Sequence, residues 1–195
     1  MDFKYDVLRT MDGVCTASMM FPGRMIRLWT ARLKGYKGFK EFTRLFVANH
    51  FGYIIRMGEK YWIAEMLGGG LKVNSLREYL RNPEREKIVS IVRHPLFDNE
   101  QIREEANSFV IQKCAELVDY DYKGSPGAFL GLCGDGPEEW YCSEMGENVV
   151  NMFGATWDNW QLSRKGKKAR IAPIEIQFGK RAKQVRDFID YSPAP

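Results

Sequence analysis

The chain has 195 residues, a formal charge of +4, and 45% hydrophobic and 13% aromatic side chains. That composition excludes a disordered protein and supplies a core for one domain. The small positive excess argues for ordinary solubility, so no nucleic-acid partner is expected. No apolar run approaches the roughly 20 residues needed to cross a bilayer. The N-terminal Met1-Asp2-Phe3-Lys4-Tyr5-Asp6 has no apolar stretch of the secretory kind. Without an export signal, Cys15, Cys114, Cys133 and Cys142 read as reduced thiols rather than as two disulfides. The expected setting is cytoplasmic, in a bacterium or a virus-infected cell.

In chain order, Val7 to Met20 is mostly apolar, with a turn or loop edge at Asp12-Gly13. Met25, Ile26, Leu28, Trp29 and Leu33 recur at near-helical spacing after Pro22-Gly23. Phe51 to Arg56 and Tyr61 to Met66 are β-branched and aromatic, and Gly58-Glu59-Lys60 between them makes the pair a hairpin. Gly68-Gly69-Gly70 ends the hairpin, and Leu71-Lys72-Val73 resumes an extended strand. Ser75, with Glu78 three residues on, caps a short helix through Leu80. Lys87 to Arg93 is a strand, closed by His94-Pro95.

Asp98 or Asn99 opens a helix whose apolar stripe runs through Ile102, Ala106, Phe109, Val110, Cys114 and Leu117. A glycine-rich stretch from Tyr120 to Trp140 is a long loop or short-helix region. A second helix begins at Cys142 or Ser143 and carries Met145, Val149, Met152 and Phe153. Arg170 to Phe178 is predicted as a strand and Lys180 to Ile189 as a terminal helix. The order predicts a single α+β domain over 1–195.

Chemistry concentrates in three residues. A thiol at a helix start, as at Cys142, faces unsatisfied N–H groups and the positive end of the dipole, which favour the nucleophilic thiolate. His50, one of only two histidines, opens the first hairpin strand and can act as the base. Glu65, on the neighbouring strand, can orient the imidazole and stabilise its charged form. Each has a plainer reading: a small buried hydrophobe, a structural histidine and a salt-bridged strand residue. Their conjunction carries more weight than any one of them.

Three stretches carry a resemblance: Asn49-His50-Phe51-Gly52-Tyr53-Ile54-Ile55, then Tyr61-Trp62-Ile63-Ala64-Glu65-Met66 with Gly68-Gly69-Gly70-Leu71, then Trp140-Tyr141-Cys142-Ser143-Glu144. Together they resemble the circularly permuted NlpC-type papain-like families, most nearly the YiiX-like group, in which the order is His, polar residue, Cys. Met25-Ile26-Arg27-Leu28-Trp29-Thr30 is similar to the family's helix before the histidine strand. Asp12-Gly13 departs from the family's usual Gly-Asp turn. The resemblance covers about residues 7–155, leaving a C-terminal strand and helix over 156–195.

The resemblance implies a circularly permuted papain-like fold, a small antiparallel sheet packed with helices. It also implies a cysteine hydrolase cleaving a peptide or peptidoglycan-type amide through an acyl-thioester on Cys142, with His50 as base and Glu65 orienting it. The alternative is a thiol acyltransferase or lipid-directed hydrolase with the same triad and an acyl-lipid substrate, its channel lined by Phe129, Leu130 and Leu132. A further alternative is a non-catalytic binding module using the basic run Arg164 to Arg170 or the aromatics Trp157 and Trp160. No cofactor and no metal are expected. Cys133, in a glycine-rich setting, reads as a bystander, and its spacing to Cys142 fits no familiar zinc ligand pair. Gly68-Gly69-Gly70 lacks the Lys-Ser/Thr of a phosphate loop and reads as a tight turn or a close backbone approach to substrate.

Overall fold

A computed structural model of the chain describes residues 7–17, 48, 50–81, 87–120, 139–140, 142–157, 176 and 183–187. The elements are β1 (Gly13–Ala17), β2 (His50–Met57), β3 (Lys60–Leu67), β4 (Gly70–Ser75), α1 (Leu76–Arg81), β5 (Lys87–Arg93), α2 (Glu100–Ala115), β6 (Asp119–Tyr120), β7 (Glu139–Trp140), α3 (Cys142–Asn151) and β8 (Lys183–Asp187). A 3-10 turn at Pro95–Asp98 joins β5 to α2. Six strands form one antiparallel sheet in the order β4-β3-β2-β1-β5-β8. β6 and β7 pair in parallel beside it. The α+β expectation holds, with an antiparallel sheet at its centre.

The expected hairpin is β2–β3, turning at Gly58, whose φ of +61° glycine adopts without steric cost. Both faces of the central strands are covered, so β2 reads as an almost unbroken apolar run. Phe51, Tyr53 and Ile55 share a core with Cys15, Ala64, Met66, Val92, Val110, Met145 and Val149 under α2 and α3. Val14, Ile54, Ile63 and Ile91 form a second core with Leu8 and Leu76, the latter from α1. Gly70 (φ +90°) is a close backbone approach, but to this chain: a Cβ there would lie 2.7 Å from the Val118 carbonyl oxygen.

The segment before β1 is pinned at several points. Met11 N–H donates to Ile54 O at 2.7 Å, and Ile54 N–H donates to Asp12 O at 2.8 Å. Met11 has a φ of 67° and is fully buried, so it takes the left-handed place that a glycine fills in a Gly-Asp turn. The departure noted at Asp12-Gly13 therefore leaves strand β1 intact. The Asp12 carboxylate accepts a bidentate grip from Arg93, Nε to Oδ1 at 2.6 Å and Nη2 to Oδ2 at 2.8 Å, plus the Arg9 N–H at 2.9 Å.

α2 starts as expected, with the Asn99 side chain accepting the Ile102 N–H at 3.2 Å. Its apolar stripe stops earlier than expected. Leu117 lies past the helix end at a φ of 54° and is 74% exposed, because the chain reverses there. The C-terminal expectation is also corrected. Within Lys180 to Ile189, predicted as helix, Lys183–Asp187 is a strand paired antiparallel with β5. The open edge of β5 offers a ladder of hydrogen bonds that outweighs local helix propensity. Of the strand expected over Arg170 to Phe178, only Ile176 is among the described residues, and it is helical and buried. The helix expected around Met25 to Leu33 lies outside the described residues, as does most of the loop from Tyr120 to Trp140.

Candidate active site

His50 is the first residue of β2, and Glu65 sits on β3 in register with Gly52. Strand alternation turns His50, Gly52 and Glu65 to the same face, away from Phe51 and Tyr53. Gly52 has no side chain to block the space: a Cβ there would lie 3.2 Å from the Glu65 Cβ and 2.9 Å from the Ala64 carbonyl oxygen. The Glu65 carboxylate reaches across this gap, and its Oε2 lies 2.8 Å from Nε2 of His50. Both groups are shielded, the side chains being 12% and 3% exposed. Oε1 of Glu65 accepts a 2.7 Å hydrogen bond from Nδ2 of Asn74 on β4. Sequence reasoning missed Asn74. The signal is its place on β4: the register pairs it with Ile63, two residues from Glu65 and on the same face.

Cys142 is the first residue of α3, as expected, and is 7% exposed. α3 packs on β2 and is tied to it by one cluster. Tyr53 Oη donates to Gly146 O at 2.7 Å, and Trp157 Nε1 donates to Tyr53 Oη at 3.0 Å and to Gly146 O at 3.1 Å. Gly146 is one turn beyond Cys142, so this anchor sets the height of the helix N-terminus over the sheet. Cys15 marks where that N-terminus lies. Burial pushes the Cys15 thiol up to about 12, and its nearness to Cys142 in the same core adds to the push. Cys15 pairs with Phe51 and Thr16 with His50 across β1 and β2. Cys142 thus lies at the His50 end of β2. α3 covers the Phe51 face of β2, and the imidazole belongs to the opposite face.

The second histidine has a structural role. His94 Nδ1 accepts the Leu96 N–H at 3.1 Å, and its Nε2 faces the Thr156 carbonyl oxygen at 3.0 Å. Its ring stacks edgewise on Trp157, with centroids 5.0 Å apart. Trp157 is fully buried, so it packs rather than lining a groove. Cys15, Cys114 and Cys142 are free thiols, and burial pushes Cys114 up to about 11. Cys133, Phe129, Leu130, Leu132, Trp160 and the basic run 164–170 lie outside the described residues. Among the described residues no three His, Cys, Asp or Glu side chains converge as metal ligands would.

No family model matches the sequence, and no curated protein matches it. Among solved structures, the crystal structure of metalloprotein yiiX from Escherichia coli O157:H7 superposes with a TM-score of 0.62 at 14% identity, covering 92% of this chain and 97% of that one. The chain has a YiiX-like fold. A YiiX-like fold at this identity speaks for the path of the backbone, and the chemistry rests on this chain's own side chains. No helix of the described residues is long and apolar enough to cross a membrane.

Proposed function

We propose that the chain is a circularly permuted papain-like cysteine hydrolase that cleaves an amide bond through an acyl-thioester on Cys142. The observation that carries this reading is the 2.8 Å contact between His50 Nε2 and Glu65 Oε2, with Cys142 opening the helix that packs on β2. A carboxylate only accepts, so Nε2 holds the proton and Nδ1 is the basic nitrogen. Nδ1 takes the proton of the Cys142 thiol as sulfur attacks the carbonyl carbon. The oxyanion forms beside the N–H groups of the first turn of α3. The C–N bond then breaks, and the imidazolium gives its proton to the leaving amine. Water, deprotonated by His50, attacks the thioester and releases the acid and the thiolate. Glu65 holds the ring and balances its charge through both steps.

The solved neighbour is called a metalloprotein. A resident ion in this chain needs three or more convergent ligands, and the described residues offer His50 and Glu65 with an asparagine that donates rather than ligates. These residues do not fit a metal, and no step runs through one.

The test is direct. Cys142→Ala and His50→Ala abolish turnover of peptide and peptidoglycan-type amides with the fold retained by circular dichroism, and Glu65→Gln is milder because an amide still orients the ring in part. Iodoacetamide labels Cys142 ahead of Cys114, although Cys114 is the more exposed of the two. Mass spectrometry shows an acyl adduct on Cys142 from amide substrates. An adduct from phospholipid acyl donors alone assigns the same triad to acyl transfer from lipids. Labelling that stays centred on Cys133 in wild type and Cys142→Ala alike overturns the assignment.

A further inference from the structure

Among the described residues Glu65 makes two hydrogen-bonded contacts, and the proposed chemistry uses one of them. Glu65 is 2% exposed, so each carboxylate oxygen has to find its donor inside the protein. Oε2 faces His50 and Oε1 accepts from Asn74 at 2.7 Å. The three side chains stand on adjacent strands β2, β3 and β4, each diagonal to the next on one face. Lys72 stands directly opposite Glu65 on β4, yet it is exposed, and among the described residues the ion pair of Glu65 is with His50.

The neutrality of the donor matters. A lysine or arginine on Oε1 would cancel the charge that an imidazolium draws on. An amide N–H satisfies Oε1 and leaves the whole negative charge facing His50. It also stops the carboxylate from rotating: with Oε1 held toward β4, Oε2 is aimed at β2.

We propose that Asn74 is a positioning residue of this site. By holding Oε1 of Glu65 it locks Oε2 onto Nε2 of His50, and so keeps His50 in the Nε2–H tautomer with Nδ1 as proton acceptor. The consequence for Cys142 rests on the cysteine-hydrolase reading, while the tautomer stands independently of it.

The experiment is nitrogen-15 NMR of the imidazole rings, which resolves the tautomer of each. Only two histidines are present. His94 is an internal reference, because the Leu96 N–H on its Nδ1 fixes the Nε2–H form. In wild type both rings show that form. In Asn74→Leu, and in Asn74→Ala should the larger residue fold poorly, His50 becomes a mixture of tautomers while His94 is unchanged. Iodoacetamide alkylation of Cys142 slows about tenfold, the worth of one charge-assisted hydrogen bond. An unchanged His50 tautomer in a folded variant overturns the proposal. A mixed tautomer with unaltered alkylation of Cys142 upholds the role of Asn74 toward His50 and counts instead against the cysteine-hydrolase reading.

Discussion

At the scale of single residues, burial separates the thiols. Cys15 lies in β1 with no exposed surface, and desolvation moves its ionisation from 9.0 to about 12. This has a consequence for stability at alkaline pH. Between about pH 9 and 12 the unfolded chain releases the Cys15 proton and the folded chain keeps it. The unfolded state then binds fewer protons, so stability falls as pH rises. The contribution is complete below about pH 9 and lost by about pH 12, at about 1.4 kcal/mol per pH unit, or about 4 kcal/mol in total. Urea denaturation across that range should show a shallower loss in Cys15→Ala than in wild type. Equal slopes would mean that the sulfur ionises inside the folded protein. Cys142 was legible as a helix-opening thiol because Trp140-Tyr141 gives way there to helical spacing. That Cys15 lies beside it was not, because the two are joined through a sheet whose strand order local spacing does not encode.

At the scale of elements, α3 and β2 explain each other. Gly146 costs the helix about 1 kcal/mol against alanine by propensity alone. A Cβ there would lie 2.8 Å from Phe51 Cε1 and 2.9 Å from Ile176 Cδ1. Phe51 cannot swing aside, because its ring is buried and meets Tyr53 edgewise with centroids 4.9 Å apart. Overpacking of this kind costs about 1–3 kcal/mol. Gly146→Ala is therefore expected to lower the denaturation midpoint despite the better helix former, and to lift the Cys142 end of α3 from the sheet. A raised midpoint would show that the contact is slack. The hairpin that joins His50 to Glu65 was readable from two apolar runs and a Gly58 turn, and the pairing of these two residues followed from it. Asn74 was not, because its contact depends on the register of β4, two strands from His50. β8 was misread for a related reason: Lys183–Asp187 carries no strong local signal, and its partner β5 lies about 90 residues earlier in the chain.

At the scale of the whole molecule, β1 lies between β2 and β5, which places the first described strand at the centre of the sheet. A strand so placed relies on non-local contacts, and the Asp12–Arg93 pair is one of them. It joins the segment before β1 to the end of β5 across 81 residues, and Arg93 also donates to Val7 O at 3.2 Å. Burial pushes the Asp12 carboxyl up even beside its partner, while the bond to Asp12 pushes the Arg93 guanidinium up. For the carboxyl, desolvation outweighs the pull of its partner, as in a buried ion pair whose Coulombic gain is largely offset by the cost of burial. Such a pair contributes little beyond an apolar replacement, yet losing one half of it is severe. Asp12→Ala leaves the Arg93 charge buried without its carboxylate and is expected to cost about 3–5 kcal/mol. Asp12→Leu combined with Arg93→Met removes both charges and should recover most of that loss in chemical denaturation. If the double variant is as unstable as Asp12→Ala, the pair is worth far more than break-even together with the contacts that Asp12 makes to the N–H of Arg9 and Arg93 makes to the carbonyl of Val7.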